Sequence, residues 1–164
     1  MGGGLEARRL KAGQHRREIS RGRLPRGQEE ETNVPKTAIY SPKVGRPSSP
    51  IAHAVRTGNL VFVSGLAPFD IDLTVPKGDF AAQMRLCMDN LVQVLAEAGT
   101  SLQHVVKVNV ILDRRSDFEE MNRIYAGYFG GEPAGWPART TIEARLPRPD
   151  FLLEIECVAE MPGA

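Results

Sequence analysis

The feature that most constrains the fold is a change of hydrophobic period between residues 79 and 112. In the stretch DFAAQMRLCMDNLVQVLAEAG, apolar residues recur at helical spacing, at Phe80, Met84, Cys87, Leu91, Val94 and Ala98. Asp79 precedes this run as a candidate N-cap, and Gly99 follows it as a helix stop. The next run, VVKVNVIL, is rich in β-branched residues and alternates polar with apolar positions, which predicts a strand with one buried face. The chain therefore combines an amphipathic helix with a sheet.

The remaining segments complete an α+β pattern. IAHAVRTGNLVFVSG predicts a β-hairpin, so that ordered structure should begin near Ile51. FEEMNRIYAGYF predicts a second helix that ends before Gly130. ARTTIEARL and FLLEIECVAEM predict two strands joined by the turn PRPD as a second hairpin. We expect a mixed sheet with both helices on one face.

Length and charge indicate one domain with an N-terminal tail. The 164 residues are 41% hydrophobic, enough for one ordinary core. Residues 1–40 are poor in aromatic residues and rich in Gly, Arg and Glu, so we expect a disordered tail, followed by a folded domain over 41–164. Nine of the 21 Lys and Arg residues lie in residues 1–36 against five acidic residues. The mildly acidic remainder argues against a nucleic-acid surface on the folded domain.

The cysteines and the hydropathy favour a cytoplasmic protein. Cys87 and Cys157 fall in a predicted helix and a predicted strand without CxxC spacing, so we interpret both as small buried residues in a reducing compartment. No apolar run approaches the roughly 18 residues that a membrane-spanning helix needs, and no signal-peptide pattern precedes the domain.

Sequence signatures of the common catalytic sites are missing. His15, His53 and His104 have no metal-ligand spacing, and no G-x-S-x-G, GxGxxG or P-loop motif occurs. His53 is predicted to lie on a strand surface. We therefore expect neither a metal nor a cofactor, nor a serine or cysteine nucleophile.

Arg139 and the acidic residues of the last two strands are the remaining candidates. Strand alternation places Arg139 and Thr141 on one face, and an antiparallel hairpin would place Glu154 on that same face. In that register Glu154 would lie about 13 Å from Arg139. Either a bulge shortens this gap or a subunit boundary completes the site, and the sequence leaves both open.

Two helices cannot cover both faces of the sheet. Ile111, Leu152 and Val158 would then occupy positions unsuited to water. The simplest way to bury the second face is to pack it against another chain, which predicts an oligomer.

Several motifs together resemble the RidA/YjgF family of enamine/imine deaminases. They are LVFVSGLAPFD, LAEAG followed by SLQHVVKVNVIL, FEEMNRIYAGYF, WPARTTIEARLP and LLEIECVAE, in matching order over residues 50–160. The resemblance implies a chorismate-mutase-like fold, a homotrimer with active sites between subunits, and a 2-iminobutanoate/2-iminopropanoate deaminase-like hydrolase that needs no cofactor. Its substrates would be imino or enamine acids, converted to 2-oxo acids and ammonia.

The resemblance also implies roles for particular residues. Arg139 in P-A-R-T would bind the substrate carboxylate, and Glu154 in L-E-I-E would place the attacking water. The remaining expected substrate-binding residues are Ser64, Gly65, Asn122, Thr141 and Ile51. An imine carbon is already electrophilic, so positioning and proton transfer are sufficient catalysis.

Two residues depart from the family pattern. Ile51 stands where many members have a tyrosine, and Leu66 follows Ser64-Gly65 where glutamine is common. Both changes remove polar groups and predict a more apolar pocket that favours larger imines.

A non-catalytic trimer that binds small carboxylates, or a regulatory or chaperone-like protein, remains an alternative. An endoribonuclease, a label that this family often carries, is disfavoured by the acidic domain and the absence of a histidine pair.

Overall fold

The fold is a six-stranded mixed sheet with two helices. The structure is a computed structural model, which describes residues 35–46, 48–130 and 132–163. The elements are β1 (Lys36–Ile39), β2 (Ala54–Thr57), β3 (Leu60–Leu66), α1 (Phe80–Glu97), β4 (Val105–Leu112), α2 (Phe118–Phe129), β5 (Ala138–Glu143) and β6 (Leu153–Glu160). Short 3-10 turns occur at Leu102–His104, Arg115–Asp117 and Pro133–Gly135. None of the described helices is long and apolar enough to cross a bilayer.

The core lies between the helices and one face of the sheet. The fully buried side chains of α1, among them Met84, Met88 and Leu91, pack in one cluster with Val108 and Ile155 of the sheet. Cys87 and Cys157 are both free and buried, as predicted. The expected α+β architecture, with both helices on one face of a mixed sheet, is confirmed.

The ends of α1 follow from local sequence, as predicted. The Asp79 carboxylate accepts a hydrogen bond of 2.9 Å from the backbone N–H of Ala82, the usual N-cap interaction. Gly99 has a φ of 82°, a left-handed conformation that is costly for other residues, and this ends the helix.

The sheet order is β1-β2-β3-β6-β4-β5, and the predicted second hairpin is wrong. β5 pairs with β4 in parallel, while β6 lies between β3 and β4 and is antiparallel to both. The segment between β5 and β6 is a folded loop rather than a tight turn, because Phe151 packs with Ala67 and Val75 in a separate buried cluster.

Ordered structure begins earlier than expected. β1 covers Lys36–Ile39, inside the predicted tail, and pairs antiparallel with β2. Three of its four residues are exposed, so its sequence has no pattern of burial to reveal it. The rest of the predicted disordered tail, residues 1–34, lies outside the described residues.

Apolar residues are exposed on the sheet face opposite the helices. Phe62 is 44% exposed and Ile142 51% exposed. Phe62 pairs with Val158, and Ile111 pairs with Ile142, so all four side chains share this face. Leu152, which we expected here, is instead buried in the core on the helix side.

Candidate active site

Arg139 points from the sheet toward the helices. Its register partner in β4 is Val108, which is fully buried beneath α1 and α2, and paired residues of neighbouring strands share a face. The side chain therefore leaves the start of β5 toward α2.

Three residues of α2 hold the Arg139 guanidinium in place. Its Nη2 donates a 2.6 Å hydrogen bond to Oδ1 of Asn122, and its Nη1 lies 3.6 Å from the sulfur of Met121. The guanidinium carbon lies 4.7 Å from the centre of the Tyr125 ring, a cation–π distance. Asn122 and Arg139 are thus brought together, as expected for two residues of one binding site.

No carboxylate of the described residues forms an ion pair with Arg139. Three other arginines, Arg114, Arg123 and Arg148, each pair with an acidic residue two or three positions away. The charge of Arg139 is instead directed to a cavity of about 570 Å³, which is also lined by Asn122, Tyr125 and Trp136. A planar guanidinium in such a position suits a ligand carboxylate, which it can bind through two parallel hydrogen bonds.

Two hydroxyl groups beside Arg139 are buried. Burial raises the pKa of Tyr125 to about 12, so its phenol is neutral near pH 7. The hydroxyls of Tyr125 and Thr141 form no hydrogen bond with the described residues. Thr141 shares the face of Arg139 because it lies two positions along the same strand, as predicted.

Ser64 and Gly65 form a β-bulge near the end of β3. Val63 pairs with Cys157 and Leu66 pairs with Ile155, so two residues of β3 face one residue of β6. A Cβ atom at Gly65 would collide with Oε1 of Glu154 and lie 2.7 Å from its carboxyl carbon. Only glycine allows the Glu154 carboxylate to rest against this backbone.

The expected residues around Glu154 lie together. Glu154, Gly65, Ser64 and Ile51 all line a second cavity of about 560 Å³. The Ser64 hydroxyl donates a 2.8 Å hydrogen bond to the carbonyl oxygen of Ala52, so its proton is committed to the backbone. Ile51 is 44% exposed at this cavity.

Glu154 is more basic than an ordinary glutamate. Partial burial, and then repulsion from the neighbouring carboxylate of Glu156, raise its pKa above the ordinary 4.5. Glu156 itself accepts a 2.6 Å hydrogen bond from the amide of Asn109. A carboxylate with a raised pKa can orient a water molecule and accept a proton from it more readily.

Arg139 and Glu154 lie on opposite faces of the sheet, which corrects the prediction that they share one. Glu154 pairs with Ile111 of β4, and Ile111 pairs with Ile142 of β5. Ile142 is three residues from Arg139, so the two side chains point in opposite directions. The prediction was wrong because β4, rather than β6, is the partner of β5.

Leu66 does not line either of these two cavities. Its register partner is Ile155, and both side chains are buried in the core on the helix side. The expectation that Leu66 makes the substrate pocket more apolar is therefore wrong, since the bulge turns it toward the helices. Ile51 alone carries that expectation.

Sequence reasoning missed several residues that shape the two cavities. Tyr125 lies in the second predicted helix without an assigned role, and Phe69 and Leu73 also have none, although these last two line the cavity of Glu154. His53, expected on a strand surface, is buried, and burial lowers its pKa. Its Nδ1 accepts a 3.1 Å hydrogen bond from the backbone N–H of Ser41, and its Nε2 lies 3.2 Å from the carbonyl oxygen of Gly45. The sequence does not show that the SPKVG segment contacts His53, so this role of His53 could not be predicted from it.

In the described part of the chain, no group of three or more His, Cys, Asp or Glu side chains is arranged to hold a metal ion.

Comparisons with known proteins agree with the motifs. Residues 44–161 match the protein family described as Endoribonuclease L-PSP. The chain is 40% identical over 126 residues to a RutC family protein of Pyrococcus abyssi, which covers 76% of this chain and 96% of that protein. It is 35% identical over 129 residues to a protein of Acinetobacter baylyi named 3-aminoacrylate deaminase RutC, covering 78% of this chain and 100% of the relative. The crystal structure of the E. coli YjgF gene product superposes with a TM-score of 0.69 at 32% identity, covering 76% of this chain and 98% of that one.

Proposed function

We propose, because the chain belongs to the Endoribonuclease L-PSP family, also called RidA/YjgF, that it hydrolyses reactive imino and enamine acids to 2-oxo acids and ammonia. The family predicted from the sequence motifs is confirmed. A relative named 3-aminoacrylate deaminase supports deaminase chemistry in general. The finer proposal is a 2-iminobutanoate/2-iminopropanoate deaminase-like activity, and the observation that carries it is the Arg139 guanidinium.

The guanidinium has the properties of a carboxylate receptor. Asn122 and Tyr125 fix its plane, and no acidic residue of the described chain pairs with it. A substrate carboxylate bound through two hydrogen bonds would have its imine carbon held in one orientation.

Glu154 would supply the proton transfers. Its carboxylate would orient a water molecule for attack on the imine carbon and accept a proton as the new C–O bond forms. Return of that proton to nitrogen would give a carbinolamine. Transfer of the proton of its new hydroxyl group to nitrogen through Glu154 would then make ammonia the leaving group, so that the C–N bond breaks as the C=O bond of the 2-oxo acid forms. One water is consumed and one ammonia is released, with no change in oxidation state.

The opposite placement of Arg139 and Glu154 favours a site between subunits. One chain cannot direct both side chains at one substrate, whereas a neighbouring subunit could bring its Arg139 to the cavity of Glu154. The open sheet face, with Phe62 and Ile142 exposed, would be covered in such an assembly. We propose a homotrimer, the closed assembly that the family resemblance implies.

The first experiment measures ammonia release. An amino-acid oxidase would generate a panel of imines, and the protein's effect on imine decay and ammonia formation would be followed. Faster hydrolysis is expected. A protein that binds 2-oxo acids but leaves imine decay unchanged would instead be the non-catalytic alternative.

The second experiment tests the site between subunits by mixing two inactive variants. Each of Arg139→Ala and Glu154→Gln should be inactive alone. After joint refolding in equal amounts, about one quarter of the sites in randomly assembled trimers would contain both native residues, so about one quarter of parental activity should return. No recovery in mixed trimers shown to have exchanged subunits would rule out a shared site.

Light scattering should report three chains per particle. Location in the cytoplasm remains a prediction.

A further inference from the structure

The loop between β3 and α1 forms one wall of the cavity that contains Glu154. Phe69 and Leu73 of this loop line the cavity, together with Ile51 and Phe151. The proposed catalytic carboxylate therefore shares its cavity with an apolar wall. The wall belongs to a segment to which the motifs assign no role.

A turn at residues 70–74 fixes the shape of this loop. The Asp70 carboxylate accepts hydrogen bonds of 2.9 Å from the backbone N–H groups of Asp72 and Thr74. The backbone N–H of Leu73 donates to the carbonyl oxygen of Asp70, and the N–H of Asp70 donates to the carbonyl oxygen of Thr74, each at 3.0 Å. Four hydrogen bonds within five residues make the wall a preformed structure.

Two buried contacts fix the loop on the domain. The side-chain amide of Asn90, a buried residue of α1, donates a 2.8 Å hydrogen bond to the carbonyl oxygen of Phe69. Gly45 touches the loop from the other side, since a Cβ there would collide with the carbonyl oxygen of Asp70 and lie 2.8 Å from Cδ2 of Leu73. His53 in turn holds Gly45 through its carbonyl oxygen.

Leu73 occupies a backbone conformation that does not suit leucine. Its φ is 64°, and it is the only non-glycine residue with positive φ in the described parts of the chain. Glycine or asparagine would adopt this conformation more easily. Strained residues of this kind are concentrated at ligand-binding sites, where the side chain repays the cost.

We propose that Leu73 determines substrate specificity, by presenting an apolar side chain that favours 2-imino acids with aliphatic side chains of about four carbons over the smallest imines. This inference rests on the proposed deaminase function and names the substrate class of the same site. Ile51 and Phe69 extend the surface, and the fixed turn keeps it in place before substrate binds.

The test compares Leu73→Asn with Ile71→Asn. Asparagine resembles leucine in size and tolerates positive φ, so Leu73→Asn should melt at or above the parental temperature. Ile71 is the matched control, because it lies two residues away, is 54% exposed and does not line the cavity. The measured quantity is the ratio of kcat/KM for the imine of leucine to that for the imine of alanine.

We expect the ratio to fall about tenfold in Leu73→Asn and to stay parental in Ile71→Asn. An unchanged ratio in Leu73→Asn, or an equal fall in both variants, would overturn the inference. If Leu73→Asn melts below the parent, Leu73→Gly replaces it with the same expectation, since glycine adopts this conformation without strain.

Calorimetric binding of 2-oxo acids separates this inference from the proposed function. The parent should bind 4-methyl-2-oxopentanoate more tightly than pyruvate, and Leu73→Asn should lose most of that difference. If the parent shows this Leu73-dependent preference but hydrolyses no imine, the role of Leu73 in specificity is supported and the deaminase proposal is refuted. If imines are hydrolysed without any dependence on Leu73, the deaminase proposal is supported and the role of Leu73 in specificity is refuted.

Discussion

Replacement of Arg139 by lysine tests whether catalysis requires the two parallel hydrogen bonds of a guanidinium or only its positive charge. The guanidinium uses one nitrogen to donate to Asn122 and stacks on Tyr125, which leaves further N–H groups for a substrate carboxylate. An ammonium group keeps the charge but cannot offer two parallel donors. Loss of one charge-assisted hydrogen bond in the transition state costs about 2–3 kcal/mol, or about 30- to 150-fold in kcat/KM.

The assay is coupled imine hydrolysis, with Arg139→Ala as the complete deletion and Arg114→Lys as the control. Arg114 is already paired with Asp117 and is half exposed, so its replacement should leave kcat/KM unchanged. Arg139→Ala should lose measurable activity while the melting temperature and oligomeric state stay near those of the parent. If Arg139→Lys equals the parent in kcat/KM, the assignment of this residue is wrong. Dissociation or unfolding of both variants would make Arg139 a structural residue.

Three further perturbations test the Glu154 site and the start of the domain. The acid limb of kcat/KM should have its midpoint above pH 4.5, because the active form of Glu154 is deprotonated and its pKa is raised. Glu156→Gln should move that limb to lower pH, and an unmoved limb would show that the Glu154–Glu156 pair is not its origin. Gly65→Ala should lower kcat by at least about tenfold, because the new Cβ displaces the Glu154 carboxylate, with circular dichroism near parental; full activity would show that this contact is unimportant. Deletion of residues 1–34 should leave the melting temperature unchanged. Deletion of residues 1–40 also removes β1 and should lower the free energy of unfolding by about 2 kcal/mol in denaturant titration. Equal stability of the two truncated proteins would contradict this role of β1.

Helix α1 was predictable because its signals are local. Hydrophobic spacing, the Asp79 cap and the Gly99 stop all lie within one stretch of sequence, and the helix runs over Phe80–Glu97 as they indicate. The bulge residues Ser64 and Gly65 were identified by motif alone. Their physical reason, close approach of Glu154 to a backbone without a Cβ, depends on a residue of β6 that lies 89 residues after Gly65.

Strand order could not be predicted in the same way. β6 is last in the chain but lies inside the sheet, where burial alternates along it, with Ile155 and Cys157 toward the helices and Glu154 and Glu156 on the other face. Alternation specifies which face each residue takes, but it does not specify the neighbouring strand. The PRPD segment has the composition of a turn, so a hairpin was the simplest interpretation. Because β5 pairs with β4 rather than with β6, Arg139 lies on the opposite face from Glu154, which is the reason that we propose a site shared between two chains.

The distribution of charge between the two faces favours the proposed small substrate over RNA, the substrate that the family description would suggest. Glu154 and Glu156 are neighbours on the open face, and their mutual repulsion already contributes to the raised pKa of Glu154. A phosphodiester chain brought to this surface would add one negative charge per nucleotide, and its binding depends on several clustered cations. An imino acid has a single carboxylate and an uncharged or protonated nitrogen at the reacting end. In the proposed site, its carboxylate would bind Arg139 of one subunit while the reacting end approaches Glu154 of the next, so each end of the substrate would meet a group of suitable charge.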